Sequence, residues 1–191
     1  MSPARKLKDL DDLVALGEDA RAELVDGEIC GIETSGEHSD AQSTLNGHLW
    51  PQFRRPRRGD GGPPGGWWIY VETNITFSLR DVLRPDLAGW RRDRVPSRPT
   101  GFPVREVPDW VCEVLSPSTA RRDLNEKRRV YHGAKVGHYW VVDLEKEALT
   151  ALRWSLDGYV IVGVYGPGDI ARVEPFEALE FPVGLVFGRE A

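Results

Sequence analysis

Two carboxylates stand inside segments that otherwise have the composition of buried strands. Asp86 follows Arg84-Pro85 and leads into Leu87-Ala88-Gly89-Trp90, and Glu113 interrupts the run from Trp110 to Leu115. Stripping an ionised carboxylate of water is costly, so a core strand that carries one must also supply something to pair with it. Two such acids at the ends of neighbouring strands form a hard oxygen site. That is the ligand type Mg²⁺ prefers, and it leaves coordination positions for waters and a phosphate.

A chain of 191 residues, 40% hydrophobic with seven Trp, has material for one packed core, and a single domain over residues 1–191 is expected. No run approaches the roughly 20 apolar residues of a membrane span. The stretch from Met1 to Asp12 is charged and has no apolar core of the kind a secretion signal carries, which predicts a cytoplasmic protein. Cys30 and Cys112 lie far apart and form no CxxC pair, which argues against a disulfide scaffold or a structural zinc site. Both are expected to be small buried apolar residues.

The net charge of −5 argues at face value against a nucleic-acid partner, but the charge is unevenly spread. Asp143 to Ala191 holds nine acids and four bases, leaving 21 of each in the first 142 residues. Within that neutral part, thirteen of the 25 Lys and Arg fall in three clusters: Arg54 to Arg58, Arg91 to Arg98 and Arg121 to Arg129. Such clusters suit a phosphate backbone, and Arg91, Arg92, Arg121 and Arg122 are the candidate contacts. Solvated loops and helix faces are the plainer reading of any one cluster.

Leu10, Leu13, Val14 and Leu16 recur at helical spacing before Gly17. Ala22–Val25 and Glu28–Ile32 flank Asp26-Gly27, a pair that tolerates positive φ and predicts a hairpin with a two-residue turn. A helix is expected from about Ser39 to Phe53, with Leu45, Leu49 and Phe53 as its apolar stripe and Pro51 kinking or ending it near Trp50. Asp60 to Gly66 is a glycine- and proline-rich loop. Trp67 to Leu79 predicts one long strand, and Leu83 to Trp90 a second with Asp86 inside it. Asp109 to Leu115 predicts a third strand, Asp123 to about Ala134 a helix, and His138 to Asp143 a fourth strand parallel to the third. A hairpin across Asp157-Gly158 follows, with last strands near Glu180 and Leu185 to Phe187.

On the helix after Glu113, Leu124, Tyr131 and Ala134 mark a buried face, and Lys127 falls on it, three past Leu124 and four before Tyr131. Two readings stand for Lys127. Its stem can run along the face to water, or its ammonium can sit beside the two carboxylates, orienting a water or stabilising phosphorane-like charge. Asp123 with Glu126 forms a capping-box-like pair, a structural role that competes with a catalytic one.

Pro85-Asp86, Glu113-Val114-Leu115-Ser116-Pro117-Ser118-Thr119, Asp123 with Lys127 and Tyr131, and Gly137-His138-Tyr139-Trp140-Val141-Val142-Asp143 together resemble a bacterial family of restriction-endonuclease-like proteins. That family lies within the PD-(D/E)xK nuclease superfamily. The similarity extends upstream to Glu23-Leu24-Val25-Asp26-Gly27-Glu28 and to His38, covering roughly residues 10–155. The resemblance implies an α/β (α+β) fold: a mixed sheet of four or five strands flanked by helices, extended by N- and C-terminal hairpins, with an acidic β extension over residues 156–191. It implies a metal-dependent endonuclease acting on DNA, with Asp86 and Glu113 as ligands of Mg²⁺, or of Mn²⁺ as a substitute. The superfamily motif places a lysine two residues after the glutamate, where this chain has Leu115. The resemblance suggests that Lys127 supplies it, the residue that the helical-face argument also reaches.

In this reading the Val114 carbonyl completes the metal shell beside Asp86 and Glu113. Glu23 and His38 are second-rank candidates. His38 is placed to donate to a phosphate or to orient a metal-bound water, against a structural role ahead of a helix. Glu23 is equally readable as an ordinary surface acid. A homodimer is expected because palindromic cutting uses two sites. The competing class is a binding or assembly module that keeps the fold without the chemistry. The basic clusters predict an affinity for duplex DNA that falls steeply from low to physiological salt, measurable by fluorescence anisotropy; a flat response would contradict them.

Overall fold

The computed structural model describes residues 7–56, 65–115 and 123–190. Most of the glycine-proline loop, Ser116 to Thr119, Arg121 and Arg122 lie outside these residues. Asp9 caps a short helix α1 (Leu10–Val14), accepting from the backbone of Asp11 and Asp12. The hairpin β1 (Ala22–Val25) and β2 (Glu28–Gly31) turns at Asp26 and Gly27, with φ of 49° and 77°. Positive φ at both positions is the turn whose twist matches an antiparallel ribbon.

Helix α2 (Gly36–Phe53) starts earlier than its apolar stripe predicts, because the Ser35 hydroxyl accepts from the His38 N–H and caps it. His38 is therefore in its first turn rather than ahead of it. Pro51 does not end the helix early. It lies within the last turn, and the helix runs on through it to Phe53.

The stretch Trp67 to Leu79 is two strands in two different sheets, β3 (Trp67–Val71) and β4 (Ile75–Ser78). The chain crosses between the sheets at Glu72-Thr73-Asn74, with Glu72 at φ 43°. It crosses back at Arg84-Pro85-Asp86, between β5 (Asp81–Leu83) and β6 (Leu87–Arg91). Asp86 thus stands in the crossing immediately before β6, not inside a strand. Pro85 has no N–H to give a ladder, which helps end the pairing there.

The main sheet has six strands in the order β10-β9-β8-β7-β6-β3, with β7 (Trp110–Leu115), β8 (His138–Asp143), β9 (Ala148–Ser155) and β10 (Gly158–Tyr165). Only β7 and β8 are parallel, joined through a helix; the other neighbours are antiparallel. This is the expected mixed sheet, with six strands in place of four or five; the β9–β10 hairpin forms one edge and β3 the other. The smaller sheet, β2-β1-β5-β4, takes in the N-terminal hairpin.

Side chains alternate across β7, so its two faces meet different partners. Trp110, Cys112 and Val114 pack with Leu45, Leu49 and Phe53 of α2. Val111 and Leu115 pack on the other side with Tyr131 and Tyr139. Phe176 seats the C-terminal segment in the first cluster, its ring 4.7–5.6 Å from those of Phe53, Trp67, Trp110 and Trp140. Beyond it come β11 (Ile170–Ala171) and β12 (Phe181–Pro182). Leu185 to Phe187 belongs to a 3₁₀ helix, Val183–Phe187, instead of a strand; its buried Val183 and Val186 enter the same core.

Asp123–Lys127 forms one π-helical turn before α3 (Arg128–Gly133). The wider turn breaks the α-helical phase, so Leu124 is 38% exposed rather than on the buried face, while Lys127, Val130 and Tyr131 remain buried. Cys112 is buried as expected; Cys30 is only half-buried.

Candidate active site

The register Leu87↔Cys112 between β6 and β7 brings the start of β6 beside the end of β7, so Asp86, just before β6, lies next to the Glu113-Val114 backbone. Asp86 is held on several sides. The Val114 N–H donates to its Oδ2 at 2.7 Å, and His38 Nε2 lies 3.1 Å from Oδ1. Gln42 Nε2 donates to the Asp86 carbonyl at 3.0 Å, and the Glu72 N–H reaches the same carbonyl at 3.1 Å. His38 and Gln42 are one turn apart on α2, at the polar end of the stripe that continues as Leu45, Leu49 and Phe53.

On the other face, Lys127 Nζ lies 3.2 and 3.1 Å from the two Glu113 oxygens and 2.8 Å from Glu23 Oε1. Glu23 is 0%, Glu113 2%, Lys127 4% and Asp86 7% exposed. The ammonium therefore does not run to water; it is buried between two carboxylates. Glu23 is not a surface acid. It also accepts from the Arg84 N–H at 2.7 Å, two residues before Asp86. Tyr131 donates its hydroxyl to Glu113 Oε1 at 2.5 Å.

Burial, with the Glu113 and Glu23 charges behind it, pushes the Tyr131 phenol well above its ordinary range, so it is a protonated donor. Burial alone would favour a neutral His38 ring. The Asp86 carboxylate, through its hydrogen bond and charge, outweighs that, with help from Glu72 and the Val114 backbone, and raises the histidine above its ordinary value. Its Nδ1 is buried without a hydrogen-bond partner among the described residues.

Sequence reasoning reaches Asp86, Glu113, Lys127, Glu23 and His38, and the fold brings all five together. It misses Gln42, whose signal is a polar residue on an apolar helical stripe, and leaves Tyr131 as a packing residue only. The Asp123 side chain, Arg121 and Arg122 lie outside the described residues. Arg91 and Arg92 are not brought to the acids: Arg91 ends β6, roughly 17 Å along the strand from Asp86, and Arg92 follows it. Arg92 is a structural clamp, its guanidinium 3.6 Å over Trp68, Nε donating to the Trp67 carbonyl at 3.2 Å and another nitrogen to the Arg54 carbonyl. Arg91 is exposed over Trp67.

Among the described residues no three His, Cys, Asp or Glu side chains converge as a metal cage. The available oxygen donors are two carboxylates and a backbone carbonyl. The chemistry of this set fits a hard divalent cation. Three buried acids, Glu23, Asp86 and Glu113, face one lysine and one histidine, so the described side chains do not carry an excess of positive charge that would oppose it.

A sequence profile of the Uma2 family, described as "Putative restriction endonuclease", matches residues 7–184 and so takes in each of these groups. The chain belongs to the Uma2 family. A crystal structure described as "a putative nuclease belonging to DUF820", from Anabaena variabilis, aligns with a TM-score of 0.68 at 20% identity. The alignment covers 94% of this chain and 97% of that one, and shows a shared fold. No curated protein matches the chain. No helix among the described residues of this Uma2 member is long and apolar enough to cross a membrane.

Because Tyr131 gives a neutral donor to a buried carboxylate, Tyr131→Phe removes a hydrogen bond to a charged group without changing the packing of the ring. Urea denaturation is expected to show a loss of about 1.5–3 kcal/mol; a change below about 0.5 kcal/mol is within surface-substitution range and would contradict the assignment.

Proposed function

We propose that this chain is a metal-dependent endonuclease that hydrolyses phosphodiester bonds in DNA. The observation that carries the reading is Lys127, buried on a helix yet aimed at Glu113, with Asp86 held by the N–H of the next residue, Val114. The family description supports a nuclease, and these are the side chains such chemistry needs.

Asp86, Glu113 and the Val114 carbonyl would hold Mg²⁺, or Mn²⁺ in its place, and the bound cation would polarise the phosphate and lower the pKa of a coordinated water. The Val114 N–H, on Asp86 Oδ2, fixes the rotation of that carboxylate. Lys127, with three donors on Nζ, orients the attacking water and places positive charge near the phosphorane. His38, its Nε2 against Asp86, presents the opposite ring edge as a donor to a phosphate oxygen. Gln42 and Tyr131 hold the two acids in place. DNA as substrate agrees with a cytoplasmic location, and cutting both strands of a symmetric site would use a homodimer.

A second reading, a nuclease-fold module retained for nucleic-acid binding or assembly, is favoured by Leu115 at the motif's usual lysine position and by the near-complete burial of Glu113 and Lys127. Nicking of supercoiled plasmid with Mg²⁺ or Mn²⁺ separates the two. Wild type is expected to nick, and Asp86→Ala, Glu113→Ala and Lys127→Ala, at equal folded concentration, to lose roughly 10²-fold or more. Mn²⁺ is expected to raise the melting temperature of wild type but not of Asp86→Ala or Glu113→Ala. No cleavage by wild type, or cleavage that the variants retain, would sink the nuclease reading.

A further inference from the structure

We infer that Glu23 is a positioning residue: it aims the Lys127 ammonium and ties it to the segment that carries Asp86. This rests on the nuclease reading above and assigns a role to a residue from the smaller sheet. One carboxylate oxygen, Glu23 Oε1, meets Lys127 Nζ at 2.8 Å and the Arg84 N–H at 2.7 Å. Arg84 opens the crossing Arg84-Pro85-Asp86, so a single oxygen links the helix that delivers the lysine to the backbone that delivers the aspartate. β1 is itself fixed to that backbone, with Leu24 paired to Val82 of β5.

A lysine has a flexible four-carbon stem, and one carried on a helix lacks the direction that a strand neighbour of Glu113 would have. A single carboxylate would draw the ammonium wholly onto itself. With Glu23 at 2.8 Å and Glu113 at 3.1–3.2 Å, the ammonium is shared. Sharing leaves Glu113 less neutralised for a cation, and it orders the ammonium before substrate arrives, which is the source of preorganised electrostatics. Glu23 is fully buried behind Lys127, so it acts through the ammonium instead of touching the reacting atoms.

The test reads the lysine directly. In the full chain labelled with ¹⁵N at the lysine Nζ, Lys127→Arg identifies the Lys127 resonance in ammonium ¹H–¹⁵N spectra. Wild type is expected to give one slowly exchanging signal there, and Glu23→Ala to lose it while far-UV circular dichroism stays native. Should Glu23→Ala fail to fold, Glu23→Gln keeps the shape and an oxygen for the Arg84 N–H, and is expected to shift the signal and speed its exchange. In plasmid nicking with Mn²⁺, Glu23→Gln is expected to lower the rate roughly 10- to 100-fold, the range seen when the support of a liganding group is removed. The Mn²⁺ concentration for half-maximal rate is expected to rise, because the ammonium then falls more fully on Glu113, while the DNA affinity stays near wild type.

An ammonium signal that survives unshifted in the folded Glu23 variants overturns the proposal, as does a wild-type nicking rate in Glu23→Gln. If wild type itself does not nick, the nuclease reading falls separately, and the ammonium spectra alone uphold or overturn the tether.

Discussion

The fold around the site depends on one buried cation shared by two buried anions. Lys127 from the π-helical turn, Glu113 from β7 and Glu23 from β1 come from three elements and meet within 3.2 Å. Each loses water, which the other two and their hydrogen-bond donors help to replace. Removing one partner of such a group typically costs about 3–5 kcal/mol, chiefly because it leaves an uncompensated charge. Tyr131 on Glu113 and the Arg84 N–H on Glu23 supply part of that compensation. The network is therefore also the polar joint between the two sheets, and a reason why the smaller sheet docks where it does.

The second arm follows from the same joint. The chain passes between sheets twice, at Glu72–Asn74 and at Arg84–Asp86, and the two crossings are stitched together by the Glu72 N–H on the Asp86 carbonyl. Arg84 reaches both Glu72 and Asn74, and Asn74 donates to the Ala22 carbonyl, which closes the stitch onto β1. Asp86 emerges from this corner beside the end of β7, where it takes the Val114 N–H, with α2 supplying His38 and Gln42. The site is thus assembled at the ends of two interior strands, β6 and β7, and the apolar clusters on both faces of β7 hold the layers around them in register.

How much of this is legible in the sequence depends on the kind of signal. Asp86 and Glu113 stand out because they are charges in apolar surroundings, and Lys127 because it shares a helical phase with Tyr131. The parallel β7–β8 pair and the hairpins follow from turn chemistry and segment length. The sheet crossings were hidden because Trp67–Leu79 and Leu83–Trp90 are rich in strand-forming residues on both sides of short polar breaks, and composition cannot tell a bend from a change of sheet. Glu23 looked like an ordinary acid for the same reason that it matters: its partners are 61 and 104 residues away, which no local pattern encodes. The π turn breaks the period on which the placement of Leu124 relied.

The most direct measurement is a double-mutant cycle on stability, with Lys127→Met, Glu113→Gln and the pair, by urea denaturation at neutral pH with divalent cations chelated. A shared buried charge predicts a coupling of at least about 1 kcal/mol between the two positions. Effects that add within about 0.5 kcal/mol would mean that Lys127 and Glu113 do not depend on each other, and the account of the site built on their pairing would be wrong.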